Sequence, residues 1–289
     1  MGSKRRFHLL CKLLILHMLV VSCRQVSRQA VDRLGLPRPE KAISATEMIG
    51  TIRGMSLRER EDYLVEQVLS GQMPSNFRNL VPVTIKGRDR SGDKHALVIW
   101  VSNDYLSVGT DSDSIRVPMS PIGAERIAHA TNSLLPTRKI VNEIYRSAAI
   151  RLKPQNLPPS REMVSTEYFI HHNNLVEDAL PKNRGKGTLI AGHKKDVVIS
   201  SFLTSFPDRV AIYGWHRSRS KVIQPLSIVH GINYMDYSHG IRLVHRVAEL
   251  DGQPVDLRTI LMSDRYSFLV NDEDDKLRKV TYTDRNSNM

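Results

Sequence analysis

Cysteine occurs twice in this chain, at Cys11 and Cys23, and both positions fall within the first 23 residues. Everything beyond them must hold itself together by burying apolar side chains, with no disulfide staple and no cysteine-based zinc site. A thiol nucleophile is excluded from that region for the same reason. About 265 residues follow Cys23, enough for one large domain or two modest ones, and 40% of all residues are apolar, which is ordinary for a globular protein.

The first 23 residues read as a leader. Lys4, Arg5 and Arg6 precede an apolar run from Phe7 to Val21 that ends at Ser22-Cys23. A basic segment, a short apolar segment and small residues before a cut site make the pattern of a secretory signal peptide. Lys12 and His17 interrupt the run, which is too short and too polar for a comfortable membrane span. Val20-Val21-Ser22-Cys23 resembles the bacterial lipobox. That resemblance implies lipidation of Cys23, export to the bacterial cell envelope and a membrane partner reached through the lipid anchor.

The net charge is +12; four of the basic residues and none of the acidic ones lie in 1–23, which leaves +8 for the rest. A basic excess in an exported chain favours an anionic cell-wall ligand or lipid head groups, or simply a soluble surface. No basic-aromatic recognition motif is present, so no nucleic-acid partner is expected.

Local patterns predict an α+β protein, with helices mainly in the N-terminal half and a largely antiparallel β-sheet in the C-terminal half. Residues 24–55, polar and mixed in charge around Pro37 and Pro39, read as a tether. Residues 56–280 read as one α+β domain, with a proline-rich stretch at 153–161 as either a domain junction or a long surface connection. Residues 281–289 read as a polar tail. Ser56 and Glu59 have capping-box spacing ahead of Leu64, Val65, Val68 and Leu69, and Gly71 suits the helix end. Strands are expected at 80–86 and 96–102, and Asp104, Asp111 and Asp113 in the next loop read as turn formers. Ser120-Pro121 starts a second helix. Thr137 caps a third, whose apolar spacing runs through Leu152 to Pro154; Arg138 and Lys139 in its first turn oppose the helix dipole, and solvation is expected to offset them. His171-His172 follows a short strand-like run. Further strands are expected at 188–191, 197–203, 209–213, 222–229 and 241–247.

Five of the eleven histidines lie between His193 and His245, most of them in turn-like stretches beside glycine or tryptophan. Histidine is both a side chain that titrates near neutral pH and a common metal ligand. The stretches Gly192-His193-Lys194-Lys195-Asp196, Gly214-Trp215-His216 and His230 through Gly240 would sit at strand ends, where loops build sites. Three chemistries fit. His230, Asp236 and His239 could hold a divalent metal such as zinc, with His193 or His216 joining from another loop. A histidine could act as a metal-free base, oriented by Asp236, with Lys194 or Arg242 stabilising negative charge. Ser238 could be a nucleophile, with His230 as its base. Against these stands a purely structural role, in which the histidines and tyrosines bond loop backbone. Lys195, Trp215 and His216, with His193 and Arg242, would line the rim and bind ligand.

The stretches at 192–196, 211–216 and 236–240, together with Leu135-Pro136-Thr137-Arg138-Lys139, resemble an uncharacterised family of exported bacterial proteins, which implies no particular activity. His230-Gly231 followed by Ser238-His239-Gly240-Ile241-Arg242-Leu243 is similar to the active-site signature of the L,D-transpeptidases. The cysteine that follows the glycine in that signature is absent here, so the family's acyl-enzyme chemistry cannot run. His239 and Arg242 would carry over as parts of a peptide-binding groove. The expectation is an exported envelope hydrolase acting on a peptide or glycan through a His/Asp loop site. The alternative is a non-catalytic envelope-binding lipoprotein with a basic, histidine-containing pocket.

Overall fold

The computed structural model describes residues 33–185, 187–274 and 276–283. The leader, Cys23, the first part of the expected tether and the last six residues of the tail lie outside the described residues. Six α-helices form among the described residues: α1 (Ala45–Ile52), α2 (Leu57–Leu69), α3 (Pro121–Ala130), α4 (Arg138–Ser147), α5 (Thr166–Ala179) and α6 (Leu257–Met262). The strands are β1 (Leu80–Arg88), β2 (Lys94–Ser102), β3 (Ser107–Gly109), β4 (Ser114–Arg116), β5 (Ser133–Leu134), β6 (Ile150–Arg151) and β7 (Ile190–Ala191). They continue with β8 (Lys195–Val198), β9 (Ala211–Ser218), β10 (Lys221–Ser227), β11 (His239–Gly240), β12 (Val244–His245), β13 (Val247–Leu250) and β14 (Gln253–Asp256). The protein is α+β, its helices mainly in the N-terminal half and its C-terminal half dominated by antiparallel sheet.

Two sheets carry the molecule. In the first, β2 pairs with β1 along one edge and with β12 and β13 along the other, extended by β5 and β14, all antiparallel. In the second, the order is β10-β9-β8-β11, antiparallel except for β11, which lies parallel to β8. The chain leaves β11 and rejoins the first sheet at β12 within a few residues, so the 230–240 loop sits at the seam between the sheets. Gly240 makes that seam close: a Cβ there would lie 2.6 Å from both Lys194 Cβ and Tyr105 Cδ1.

The helix caps follow the sequence. Ser56 and Glu59 bond each other's backbone N–H groups to start α2, which buries Leu64, Val65 and Val68. Ser120 caps α3, and Thr137 caps α4 while donating its own hydroxyl to Val270 O. The cations in the first turn of α4 have protein partners instead of solvent alone: Arg138 Nε lies 2.9 Å from Asp272 Oδ1, and Lys139 donates to Phe268 O.

Several expectations need correction. Within the expected tether, α1 buries Ala45, Met48 and Ile52 in the main core, and Leu34 is buried as well. α4 stops at Ser147 because Ile150 and Arg151 are drawn into parallel pairing with β7. His171 and His172 lie on α5, the first exposed and the second buried. Strand β8 ends at Val198, and Ser201–Thr204 turns as a short 3-10 helix. Trp215 and His216 lie inside β9 and not in a turn. In the tail, Tyr282 is buried, its hydroxyl donating to Val198 O at 2.5 Å and accepting from Ala211 N at 3.0 Å. One large core includes Ile144 and Tyr145 before the proline-rich stretch and Phe169 and Val197 after it. The stretch itself is pinned at Leu157, whose N–H and C=O meet the Tyr237 hydroxyl at 2.9 and 3.2 Å.

Candidate functional site

The loop between β10 and β11 is tied at its start to 208–210, where Val210 N donates to His230 O (3.1 Å) and Ile232 N to Asp208 O (2.7 Å). Its second half folds around one carboxylate. Asp236 Oδ1 accepts from Ser238 N (2.7 Å) and from the Ser238 hydroxyl (2.5 Å), and Oδ2 accepts from the Tyr234 hydroxyl (3.0 Å). Such i to i+2 bonding is what aspartate does in a tight turn. Burial works to raise the Asp236 pKa, but His239, the Ser238 donors and Lys195 outweigh it and hold the carboxyl below its ordinary range. The Tyr234 ring stacks on His230 with centroids 4.0 Å apart and meets His239 edge-on at 5.7 Å. One aromatic ring thus separates a half-exposed imidazole from a fully buried one.

This arrangement brings His230, Asp236, Ser238 and His239 into one neighbourhood. Among the described residues no three His, Cys, Asp or Glu side chains are placed to hold a metal ion. The physical reason at this loop is that Tyr234 lies between the imidazoles and Asp236 is already engaged by three donors. The Ser238 hydroxyl donates to Asp236 and is bonded to no histidine.

At the start of β8 consecutive side chains take opposite faces, as strand geometry requires. Lys194 points inward, fully buried, with Nζ donating to Tyr237 O at 2.5 Å. Burial, reinforced by Arg116 and opposed by Asp236 and Asp104, pushes its ammonium down to about 7. Lys195 points outward and lies over the Trp215 ring, 4.7 Å from its centroid. Trp215 has φ of +56°, a left-handed conformation costly for a bulky residue. It is held there by two bonds to the preceding segment, Trp215 N to Lys194 O and Nε1 to His193 O, both 3.1 Å. His216, expected at the same rim, faces α4 instead. Its Nε2 is 2.9 Å from Asn142 Oδ1, and its ring stacks on Tyr145 at 4.3 Å.

Beneath this lies a buried polar layer that the sequence did not announce. Arg242, expected to bind ligand, is wholly buried: its guanidinium donates to Ser102 O and Ile190 O, both 2.8 Å, and lies 4.3 Å from the centroid of the Tyr105 ring. Tyr105 donates its hydroxyl to Asp196 Oδ2 at 2.8 Å, and burial pushes the Asp196 carboxyl up to about 7. Asp104, expected to form a turn, is instead an ion-pair centre. Its Oδ2 accepts from Arg116 Nε (3.0 Å) and NH2 (2.6 Å), and its Oδ1 lies 3.2 Å from His193 Nε2 without the alignment of a hydrogen bond. Burial opposes its ionisation, yet Arg116 and His193 hold the carboxyl far below the usual range. Arg116 NH1 completes the group on Asn173 Oδ1 (3.2 Å) and Glu177 Oε1 (2.6 Å) of α5.

Three imidazoles in this region, His172, His193 and His239, are fully buried with both ring nitrogens lacking a hydrogen-bond partner. Burial, the largest cause for each, pushes His193 and His239 down to about 4 and His172 further still. Burial thus favours the neutral form of each. Buried unpaired polar groups of this kind are rare and concentrate at functional sites.

A cleft of about 320 Å³ opens over Asp104 and Arg116, between the β3–β4 turn and α5. None of the catalytic, ligand-binding or metal residues expected from sequence lines it. Its connection to them runs through Asp104, which touches His193. The elements of this second half of the site had one sequence signal, the aspartate after β2; Arg116, Asn173 and Glu177 come from separate positions linked only by the fold. Compared with known protein families, curated proteins and solved structures, the chain matches none.

Proposed function

We propose that the protein is an exported bacterial envelope protein, lipid-anchored at Cys23, and a hydrolase of an envelope peptide or glycan that works by metal-free acid–base chemistry. The observation that carries the catalytic reading is Lys194, a fully buried amine on Tyr237 O beside the buried imidazoles of His193 and His239, with burial lowering the pKa of all three. Burial lowers the pKa of this amine, which favours the free base that general-base catalysis requires. In this reading Asp236 fixes the loop that carries His239, and Asp104 connects the cleft to His193. A specific observation favours the binding alternative: Asp104 is the one group of this set that lines the cleft, and its carboxylate is committed to Arg116.

The test is turnover of purified cell-wall sacculi by the full-length protein, read as soluble fragments released over time. The expected result is release by the wild type and a loss of at least about 100-fold in Lys194→Met. The variant's melting temperature should stay within a few degrees of the wild type, because a buried lysine exchanged for an isosteric apolar chain sheds a desolvation penalty. Sacculi retained without any release would overturn the hydrolase reading and leave the binder. Anchorage is checked separately: Cys23→Ala should move the protein from the membrane to the soluble fraction.

A further inference from the structure

The cleft over Arg116 has a composition that selects a ligand class. Its floor is a closed set of ion pairs: Asp104 and Glu177 on Arg116, and Arg184 NH2 on Glu177 at 3.2 Å. These charges cancel among themselves. Two further carboxylates at the wall, Asp111 and Asp113, accept backbone N–H groups from Ser75 (2.6 Å) and Thr46 (3.1 Å) and so fix the turn that frames the opening. An anion entering here would meet net negative charge and would have to break a buried pair to reach a guanidinium. An apolar ligand would strip water from paired ions and gain little in return.

What remains on offer to an uncharged ligand lies at the rim. The side-chain amides of Asn76 and Asn174 and the hydroxyl of Ser114 line the cleft, and none of them has a side-chain hydrogen bond among the described residues. An amide presents donors and an acceptor together, and a hydroxyl does the same on one atom. The matching ligand carries many uncharged groups that both donate and accept. At about 320 Å³ the cleft falls at the small end of ligand sites, which span roughly 300–1,000 Å³.

We infer that this cleft is a binding site for the end of an uncharged glycan, with Asn76, Asn174 and Ser114 reading sugar hydroxyls above the Asp104–Arg116–Glu177 floor. The inference narrows the envelope-ligand reading to its glycan branch. It rests on the cleft alone, and holds whether or not the buried bases turn the ligand over.

The experiment is saturation-transfer NMR on the full-length protein with a panel of neutral disaccharides: maltose, cellobiose, lactose and chitobiose. Inorganic phosphate and spermidine serve as the anionic and cationic competitors. The expected result is transfer to at least one disaccharide, unaffected by either competitor. Binding should weaken about fivefold for each of Asn76→Ala and Asn174→Ala, the loss of one neutral hydrogen bond apiece. Both substitutions are at solvent-accessible positions without intramolecular side-chain bonds, so folding is preserved, which a thermal melt verifies. No transfer to any disaccharide, transfer indifferent to both substitutions, or displacement by phosphate or spermidine would each overturn the assignment. Sacculus turnover that persists without saccharide binding would sink this inference and spare the hydrolase reading; saccharide binding without turnover would do the reverse.

Discussion

At the scale of single residues, the buried imidazoles make a prediction about acid. An unfolded histidine takes up its proton near 6.5, whereas His193 and His239 in the folded protein wait until about 4. Between those values the unfolded chain binds more protons, so stability falls as pH drops from about 6.5 towards 4. Asp196 works in the opposite sense. Its folded carboxyl keeps its proton up to about 7, so its contribution is largest in acid and is lost as pH rises from about 4. The histidines outnumber it, and the net slope should be positive. Urea unfolding from pH 4.5 to 6 measures that slope, and His239→Leu should lower it by about one proton. An unchanged slope would mean that His239 is already protonated in the fold. Little of this was legible beforehand. The sequence showed where histidines crowd, but burial is a property of what packs around them, and Tyr234, Tyr237 and Tyr105 gave no sign of that role.

At the scale of elements, caps were legible and lengths were not. Ser56 with Glu59 and Thr137 mark helix starts through bonds made within three or four residues, which is information a local sequence carries. The end of α4 is decided by the pairing of Ile150 with Ile190, forty positions away, and no local pattern contains that. α1 was hidden because its buried face is only three residues, set in a polar stretch. A further element-scale device joins two turns. His95 on β2 lies between Asp251 Oδ2 (2.6 Å), in the β13–β14 turn, and Asp89 Oδ2 (3.3 Å), in the β1–β2 turn. Arg265 also bonds Asp89, at 2.9 Å, and Tyr266 meets the imidazole edge-on. The bond to Asp251 is the largest of the causes that raise the His95 pKa, with Asp89 adding to it. A raised histidine stabilises fully below its unfolded value near 6.5, and that contribution disappears as pH climbs through the folded value. Thermal melts of His95→Gln and wild type should therefore differ at pH 5.5 and converge by pH 9. A gap that persists at pH 9 would assign the loss to packing instead of charge.

At the scale of the whole molecule, the α+β class was legible because amphipathic spacing and turn chemistry accumulate over many residues. Half of the candidate site was legible for the same reason: its loop residues are neighbours in sequence. The other half is assembled from Asp104, Arg116, Asn173 and Glu177, which meet only after the β3–β4 turn packs on α5. Buried ion pairs of this sort bind the fold across distance, and their energetics have a signature. Arg116→Met should destabilise by about 3–5 kcal/mol by stranding Asp104, whereas the double variant Asp104→Leu/Arg116→Met should lose markedly less. A double-mutant cycle by chemical denaturation reads the coupling directly, and additive losses would show that the two side chains are independent.

Gly240 gives the seam between the sheets a chemical meaning. Because no side chain stands there, β11 packs directly on Lys194 Cβ and the Tyr105 ring. Adding one methyl at this position would force the strand away from Lys194 Cβ and the Tyr105 ring. The closeness of the strand that passes the buried amine is thus set by an atom the chain leaves out.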